Sequence, residues 1–374
     1  MAVLCPSALV LVKAPLNNRT TIVCCVKYGG QPHVHGGFLP LRRLASNRNA
    51  GFGDSGKSGG MNRKKRPAVD SSIAPEQGVT KDGQPLSYNR APAPDLAPWI
   101  ARLYVTKVVA PDDYVLSCGL FNDTACVRIQ LAGKWTAQTA TGPEAFERAA
   151  LFFGPQSKRM PITVTGSFIS VGISIRPGAC TALRGPRLSD FIDRLILTSA
   201  VTIPWEKVLE KLETDATPEE WLRTIENLVR KRVDHIGRVE PDPIASRFEE
   251  ITFSNPGMTV SEAAQLCGVE RRKLERIVNR DFGMPPKQVL RRARALDMAS
   301  HLRGVADSEE GEEMVLRYYD ESHLIHEFTE FFGMSPRQFV ATPQPILTLA
   351  LESRQARRLE ALHRIEPGQA RPWE

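Results

Sequence analysis

Cysteine is scarce: seven residues in 374, with only Cys24 and Cys25 close together and no C-x-x-C spacing. That excludes a disulfide framework and a cysteine zinc site, and it fits a reducing cytoplasm. No run approaches the roughly 20 apolar residues that cross a bilayer, so no membrane partner is expected. The longest early apolar run, Ala8 to Val12, has no basic stretch before it and is followed by Lys13 and Pro15, unlike a secretory signal. Residues 88–200 contain no histidine, which excludes a histidine-based metal site there. Paired carboxylates, a nucleophile–base pattern and a phosphate-cradling glycine loop are all missing. No catalytic residue, metal or cofactor is therefore expected, and the chain reads as non-enzymatic.

Acidic residues are rare at the start. Residues 1–90 hold 13 Lys/Arg against 4 Asp/Glu, whereas the remainder holds 36 basic and 38 acidic residues. The net charge of +7 thus belongs to the tail and does not identify a function. Residues 1–87 are rich in Gly, Asn, Ser and Pro without a sustained period, which predicts disorder. The Arg63–Arg66 basic cluster follows Met61, which is read as a candidate translation start.

What is present divides the chain. Residues 88–200 alternate short Val, Ile, Thr and Phe runs with glycine, predicting a β-rich barrel or sandwich. Ile100–Val109, Tyr114–Leu120, Ala125–Leu131, Lys134–Thr139, Leu151–Phe153, Ile162–Thr165 and Phe168–Ile175 are the expected strands, and Leu188–Leu197 is an expected helix. Residues 201–239 are expected as a helical linker, with Trp221, Ile225, Leu228 and Val229 on one face. Residues 240–345 read as all helical and residues 346–374 as a helical tail, so the fold class is α+β. Thr259 with Glu262 has the spacing of a capping box. Gly268 marks a turn, and Gly283 stops the next helix.

A repeat carries the functional reading. Phe282-Gly283-Met284-Pro285-Pro286-Lys287-Gln288 recurs fifty positions on as Phe332-Gly333-Met334-Ser335-Pro336-Arg337-Gln338. Leu274 matches Leu324 and Val278 matches Phe328, the inward positions of a helix ending at Phe-Gly. Two copies of one helix-turn-helix are expected, with a continuous helix from Pro286 joining them and Pro336 opening the equivalent helix after the second.

These residues resemble the DNA-binding domain of AraC/XylS-type transcription regulators. The most specific part is Asp320-Glu321-Ser322-His323-Leu324-Ile325 through Phe328, then Gly333-Met334-Ser335-Pro336, close to the family's D-Q-S-H-F-x-R-x-F and G-M-T-P. More weakly, residues 88–185 are similar to a sensor-like domain found before such regions, through Pro94–Trp99, Phe153-Gly154-Pro155 and Ile175–Ala179.

The family pattern places Arg272, Glu275 and Arg276 toward the major groove, and their spacing of three and four puts them on one face opposite Leu274 and Val278. Arginine can bind guanine bidentately and glutamate can accept from cytosine. Arg271, Lys273 and Arg280 are expected at phosphates, which set register. The second unit departs from the pattern: Glu321, Ser322, Ile325 and His326 stand where the family commonly has Gln and Arg. Residues 304–340 carry two basic and nine acidic residues, whereas 258–303 carry ten basic and five acidic. Two readings follow: a sequence-specific transcription regulator, activator or repressor, or a partner-binding or dimerisation protein with weak DNA affinity through a degenerate second unit. Expected partners are double-stranded DNA, RNA polymerase, a small-molecule effector and a second copy of the chain. Residues 240–345 are also expected to fold alone, around their own core.

Overall fold

A computed structural model of the chain describes residues 10–16, 19–25, 88–200, 206–306 and 321–374. Val10–Leu16 (β1) and Arg19–Cys25 (β2) pair antiparallel, from Val10 opposite Cys25 to Leu16 opposite Arg19. This hairpin corrects the expectation of disorder at those residues, where Val, Ile and Thr favour strand. The rest of the expected tail lies outside the described residues.

Eight strands build one antiparallel sheet: Tyr88–Arg90 (β3), Ile100–Val108 (β4), Val115–Leu120 (β5), Cys126–Thr139 (β6), Gly142–Phe146 (β7), Ala149–Phe153 (β8), Met160–Ile175 (β9) and Leu195–Leu197 (β10). The order β10-β8-β6-β9-β4-β3 leaves both ends open, so the sheet neither closes into a barrel nor splits into a sandwich. The reason lies in β6 and β9, which pair with each other along their length and change outer neighbours midway. Residues 168–175 of β9 take β4 and residues 160–165 take β5. In β6, residues 126–130 take β8 and residues 135–139 take β7. The pairing of β6 with β9 slips between Gln130 and Lys134. Gly133 sits there at φ +95°, and a Cβ on it would come within 2.7 Å of Phe168 Cβ. A bulge at glycine bends the strand without ending it.

Both faces of the sheet are covered, which makes β4 almost wholly buried instead of alternating. After the short helix Ala179–Ala182 (α1) come Glu206–Leu209 (α2) and Pro218–His235 (α3). Trp221, Leu222, Ile225, Val229 and Val233 of α3 join Leu103, Val127, Ile129 and Val171 in one core. The expected linker is thus part of the β-rich domain. The expected helix at 188–197 is a 3-10 turn, Leu188–Phe191, followed by β10. Asp193, at φ +55°, separates them.

The remaining helices are Pro243–Ser254 (α4), Val260–Leu266 (α5), Arg271–Phe282 (α6), Pro286–Arg303 (α7), Glu321–Phe332 (α8), Pro336–Ala341 (α9) and Pro345–Ala361 (α10). Thr259 and Glu262 form the expected capping box on α5, at 3.2 and 2.7 Å. Thr259→Ala should therefore lower stability by about 1 kcal/mol, measured by denaturant titration of the full chain; an unchanged midpoint contradicts that role.

The segment expected as a C-terminal tail is the largest correction. Helix α10 is buried from Pro345 to Leu359 except at half-buried Ala350, and packs on α4, α7, β4 and β5. Ile346 enters the core formed by Cys118, Leu120, Trp135 and Phe153 on the second face of the sheet. Its arginines are buried because carboxylates from distant parts of the chain meet them. Arg354 pairs with Asp297 of α7 at 2.5 Å and with Asp123 at 3.2 Å, and Arg357 also pairs with Asp123. Arg358 Nε donates to the Phe253 carbonyl at 2.9 Å.

Candidate nucleic-acid interface

Helix α6 is anchored by Leu274, Ile277, Val278 and Phe282, which meet Phe248, Ala263, Ala264, Val289 and Leu290. The Phe248 and Phe282 rings lie edge to face, 5.4 Å apart. Burying that stripe turns Arg271, Arg272, Lys273 and Arg276 outward, all exposed. Glu275, half-buried, accepts from Arg271 Nε at 2.9 Å. The pair covers one turn of the exposed face and competes with any use of either residue on a base or phosphate.

Arg280 is placed differently from its neighbours. It donates to the buried Asp281 carboxylate and to Asp242, the latter at 3.0 Å. Asp281, then Asp242, holds its guanidinium firmly charged. Asp281 also accepts from Thr181 at 3.1 Å, so Arg280 helps tie α6 to the β-rich domain. This internal tie at the foot of the helix, made because Asp281 folds inward beside it, competes with the expected phosphate contact.

Gly283, at φ +74°, ends α6 where a Cβ would sit 3.1 Å from the Leu188 backbone and from Pro155. Gly268 and Gly333 share the left-handed conformation. Pro286 opens α7 and Pro336 opens α9. Helix α7, eighteen residues and so about 27 Å long, runs unbroken to Gly304.

The second unit is built on phenylalanine. Phe328, Phe332 and Phe339 pack with ring centroids 4.3 to 5.2 Å apart, and Leu324 is buried beside them. Glu321, Ser322, His323, Ile325 and His326 are exposed on α8. The stretch before this helix, including Arg317-Tyr318-Tyr319, lies outside the described residues. Two acidic residues of α8 are neutralised from α7. Glu327, 1% exposed, takes Arg291 at 2.9 Å and Arg294 at 2.8 Å, and Glu330 takes Arg291 at 2.5 Å. The Arg291 hydrogen bond holds the Glu330 carboxyl below its ordinary range.

The β-rich domain grips the helical one through residues that sequence reasoning passed over. Phe121 lies 5.2 Å from Phe332 and 6.0 Å from Phe331. Arg292 of α7 is 1% exposed and donates to the Gln156 carbonyl at 2.9 Å and to the Asp123 carbonyl. Arg176 donates to the Ala97 carbonyl at 2.6 Å and to Glu249 at 3.0 Å, joining the two domains. Cys118, Cys126 and Cys180 are buried thiols, and burial pushes Cys118 and Cys180 up to about 12. Among the described residues, no three His, Cys, Asp or Glu side chains converge as metal ligands. Nor is any described helix long and apolar enough to cross a membrane.

No significant match to this sequence was found among curated proteins. Of solved structures, an apo form of ToxT from Vibrio cholerae strain SCE256 is similar at 9% identity and a TM-score of 0.39, covering 65% of this chain and 98% of that one. A second ToxT crystal form from Vibrio cholerae gives 8% identity and 0.39, over 64% and 97%. The AraC-like transcriptional activator CuxR gives 15% and 0.22, over 52% and 76%. A family described as "Domain of unknown function" matches residues 88–197 and one described as "Helix-turn-helix domain" matches residues 263–342. The second span covers α6, the connector α7 and α8, and the chain therefore carries a C-terminal helix-turn-helix domain of the AraC type.

Proposed function

We infer that the protein is a cytoplasmic, sequence-specific DNA-binding transcription regulator without a catalytic step. The observation that carries this reading is the exposed basic face of α6, Arg271 to Arg276, on a helix whose opposite stripe is locked into a helix-turn-helix core. Arg272 and Arg276 are the side chains we assign to base edges. Lys273 serves a phosphate, with Arg271 available when it leaves Glu275. Helix α8 supplies a weaker second contact through Ser322, His326 and Ile325, and Glu321 at its start faces unfavourable phosphate charge.

The acidic character of the second unit supports a partner-binding role less than its composition suggests, because Glu327 and Glu330 are already paired with Arg291 and Arg294. The β-rich domain is the half we assign to regulation, since Arg292 of α7 and Arg354 and Arg357 of α10 tie it to the connector between the two helix-turn-helix units. RNA polymerase and a second copy of the chain remain the protein partners that a regulator of this kind would meet.

Selection of genomic fragments by the purified full chain tests the reading. Enrichment of a discrete sequence motif is expected, and recovery no different from random duplex contradicts it.

A further inference from the structure

A cavity of about 30 Å³ lies between β4, β6 and β9 on one side and α10 on the other. Arg102, Arg128, Arg354 and Arg357 contribute to its lining, with Asp123 the only carboxylate there. Arg102 is satisfied by Asn89 at 2.7 Å and Glu360 at 2.6 Å, while Asp123 is taken up by Arg354 and Arg357.

Arg128 is the exception. It is 5% exposed, and no carboxylate among the described residues pairs with it. Its guanidinium lies over the Tyr104 ring at 5.0 Å and the Phe153 ring at 5.6 Å. Nη2 donates weakly to Asn122 Oδ1 at 3.4 Å, and Nε has no hydrogen-bond partner. Three more donors on the same lining are unpartnered: the Tyr104 hydroxyl, Arg354 Nη2 and Arg357 Nε. Burial holds the Tyr104 hydroxyl well above its ordinary value, so it stays protonated and able to donate. A buried cation with an unfilled donor and only one weak acceptor is unfavourable unless a better acceptor reaches it. The Nε–Nη2 edge has the spacing to hold both oxygens of a carboxylate. Ile346, Leu349 and Ala350 of α10 offer an apolar wall beside it.

We propose that this cavity binds a small monocarboxylate of acetate or propionate size, its oxygens held by Arg128 with Tyr104 and Arg354, and its alkyl end against α10. The site deepens the reading of the β-rich domain as the regulatory half and rests on it. Arg354 also pairs with Asp297 of α7, so the ligand touches the ion network that joins the sheet to the connector between the two helix-turn-helix units.

The test is a thermal melt of the full chain in sodium acetate or propionate against sodium chloride and phosphate at matched ionic strength. A saturable rise in Tm of about 3–6 °C with the carboxylates alone is expected. Arg128→Met should abolish the rise. Tyr104→Phe removes only a hydroxyl without a partner; it should melt as the parent does and raise the half-saturating concentration about fivefold. An equal rise in chloride, a response to phosphate but not acetate, or an undiminished response in both variants overturns the proposal. DNA retention by the untreated chain is scored separately. Retention without a carboxylate response counts against the site alone, and a carboxylate response without retention counts against the regulator reading alone.

Discussion

Ending the chain after Gln344 is expected to unfold the protein instead of releasing a trimmed regulator. Helix α10 buries Ile346, Leu347, Leu349, Leu351 and Leu359. At about 1.5–3 kcal/mol for each large apolar side chain, the loss is on the order of 7–15 kcal/mol, comparable to the whole stability of a typical domain. The cut also strips Asp123 and Asp297 of their arginines. The first unit of residues 240–345 does have a core of its own, from Ala245 to Leu290, but α10 packs on α4 and α7 and Phe121 on Phe332, so we expect that fragment to be destabilised without them. Far-UV circular dichroism with a thermal melt decides it. No cooperative transition is expected, and a truncated chain that melts like the parent contradicts the role given to α10.

Asp123→Asn should be the most damaging single substitution in the joint between the domains. Burial alone would raise the Asp123 carboxyl, but Arg357, Arg354 and Arg292 outweigh it and hold the group below its ordinary range. Asparagine keeps the shape and removes the charge, leaving Arg357 with only the longer Glu249 contact at 3.9 Å and Arg354 with Asp297 alone. Removing one partner of such a network costs about 3–5 kcal/mol. The sign with pH follows from the lowered folded-state value. The contribution is complete above the unfolded carboxyl pKa of about 3.9 and disappears as pH falls through the lower folded value. Urea titrations at neutral pH and at about pH 3 should show the difference between parent and Asp123→Asn shrinking in acid. A difference that grows in acid, or none at neutral pH, would contradict the network.

Local signals in the sequence identified the helices well. The Thr259–Glu262 box and the Phe-Gly-Met repeat depend on neighbours in the chain, and both have their expected geometry. Leu274 with Val278 and Leu324 with Phe328 are buried as the period of 3.6 requires. The sheet was legible only in part. Gly133 and Gly166 read as strand stops, whereas β6 and β9 continue through them with a bulge and a local left-handed turn. Helix α10 read only as a helical tail, because nothing in a short window shows what its arginines meet. Their partners are remote: Arg354 meets Asp123 across 231 positions, a separation that carries no periodic signature. Arg280 shows the same weakness on a smaller scale. A basic residue beside an acidic one looks free until the acidic neighbour turns inward.

The reading of DNA chiefly by α6 is tested most directly by titrating a selected fragment with the full chain and three variants across several salt concentrations. Arg272→Ala and Arg276→Ala should each weaken specific binding by about 1–3 kcal/mol and relax discrimination within one half-site. Glu321→Ala should leave affinity unchanged or raise it, since it removes a negative charge near phosphate. The salt slope should be shallow, corresponding to about 3–6 phosphate contacts. If Arg272→Ala and Arg276→Ala bind as the parent does while Glu321→Ala loses a half-site, α8 reads the bases and the division proposed between the two units is wrong.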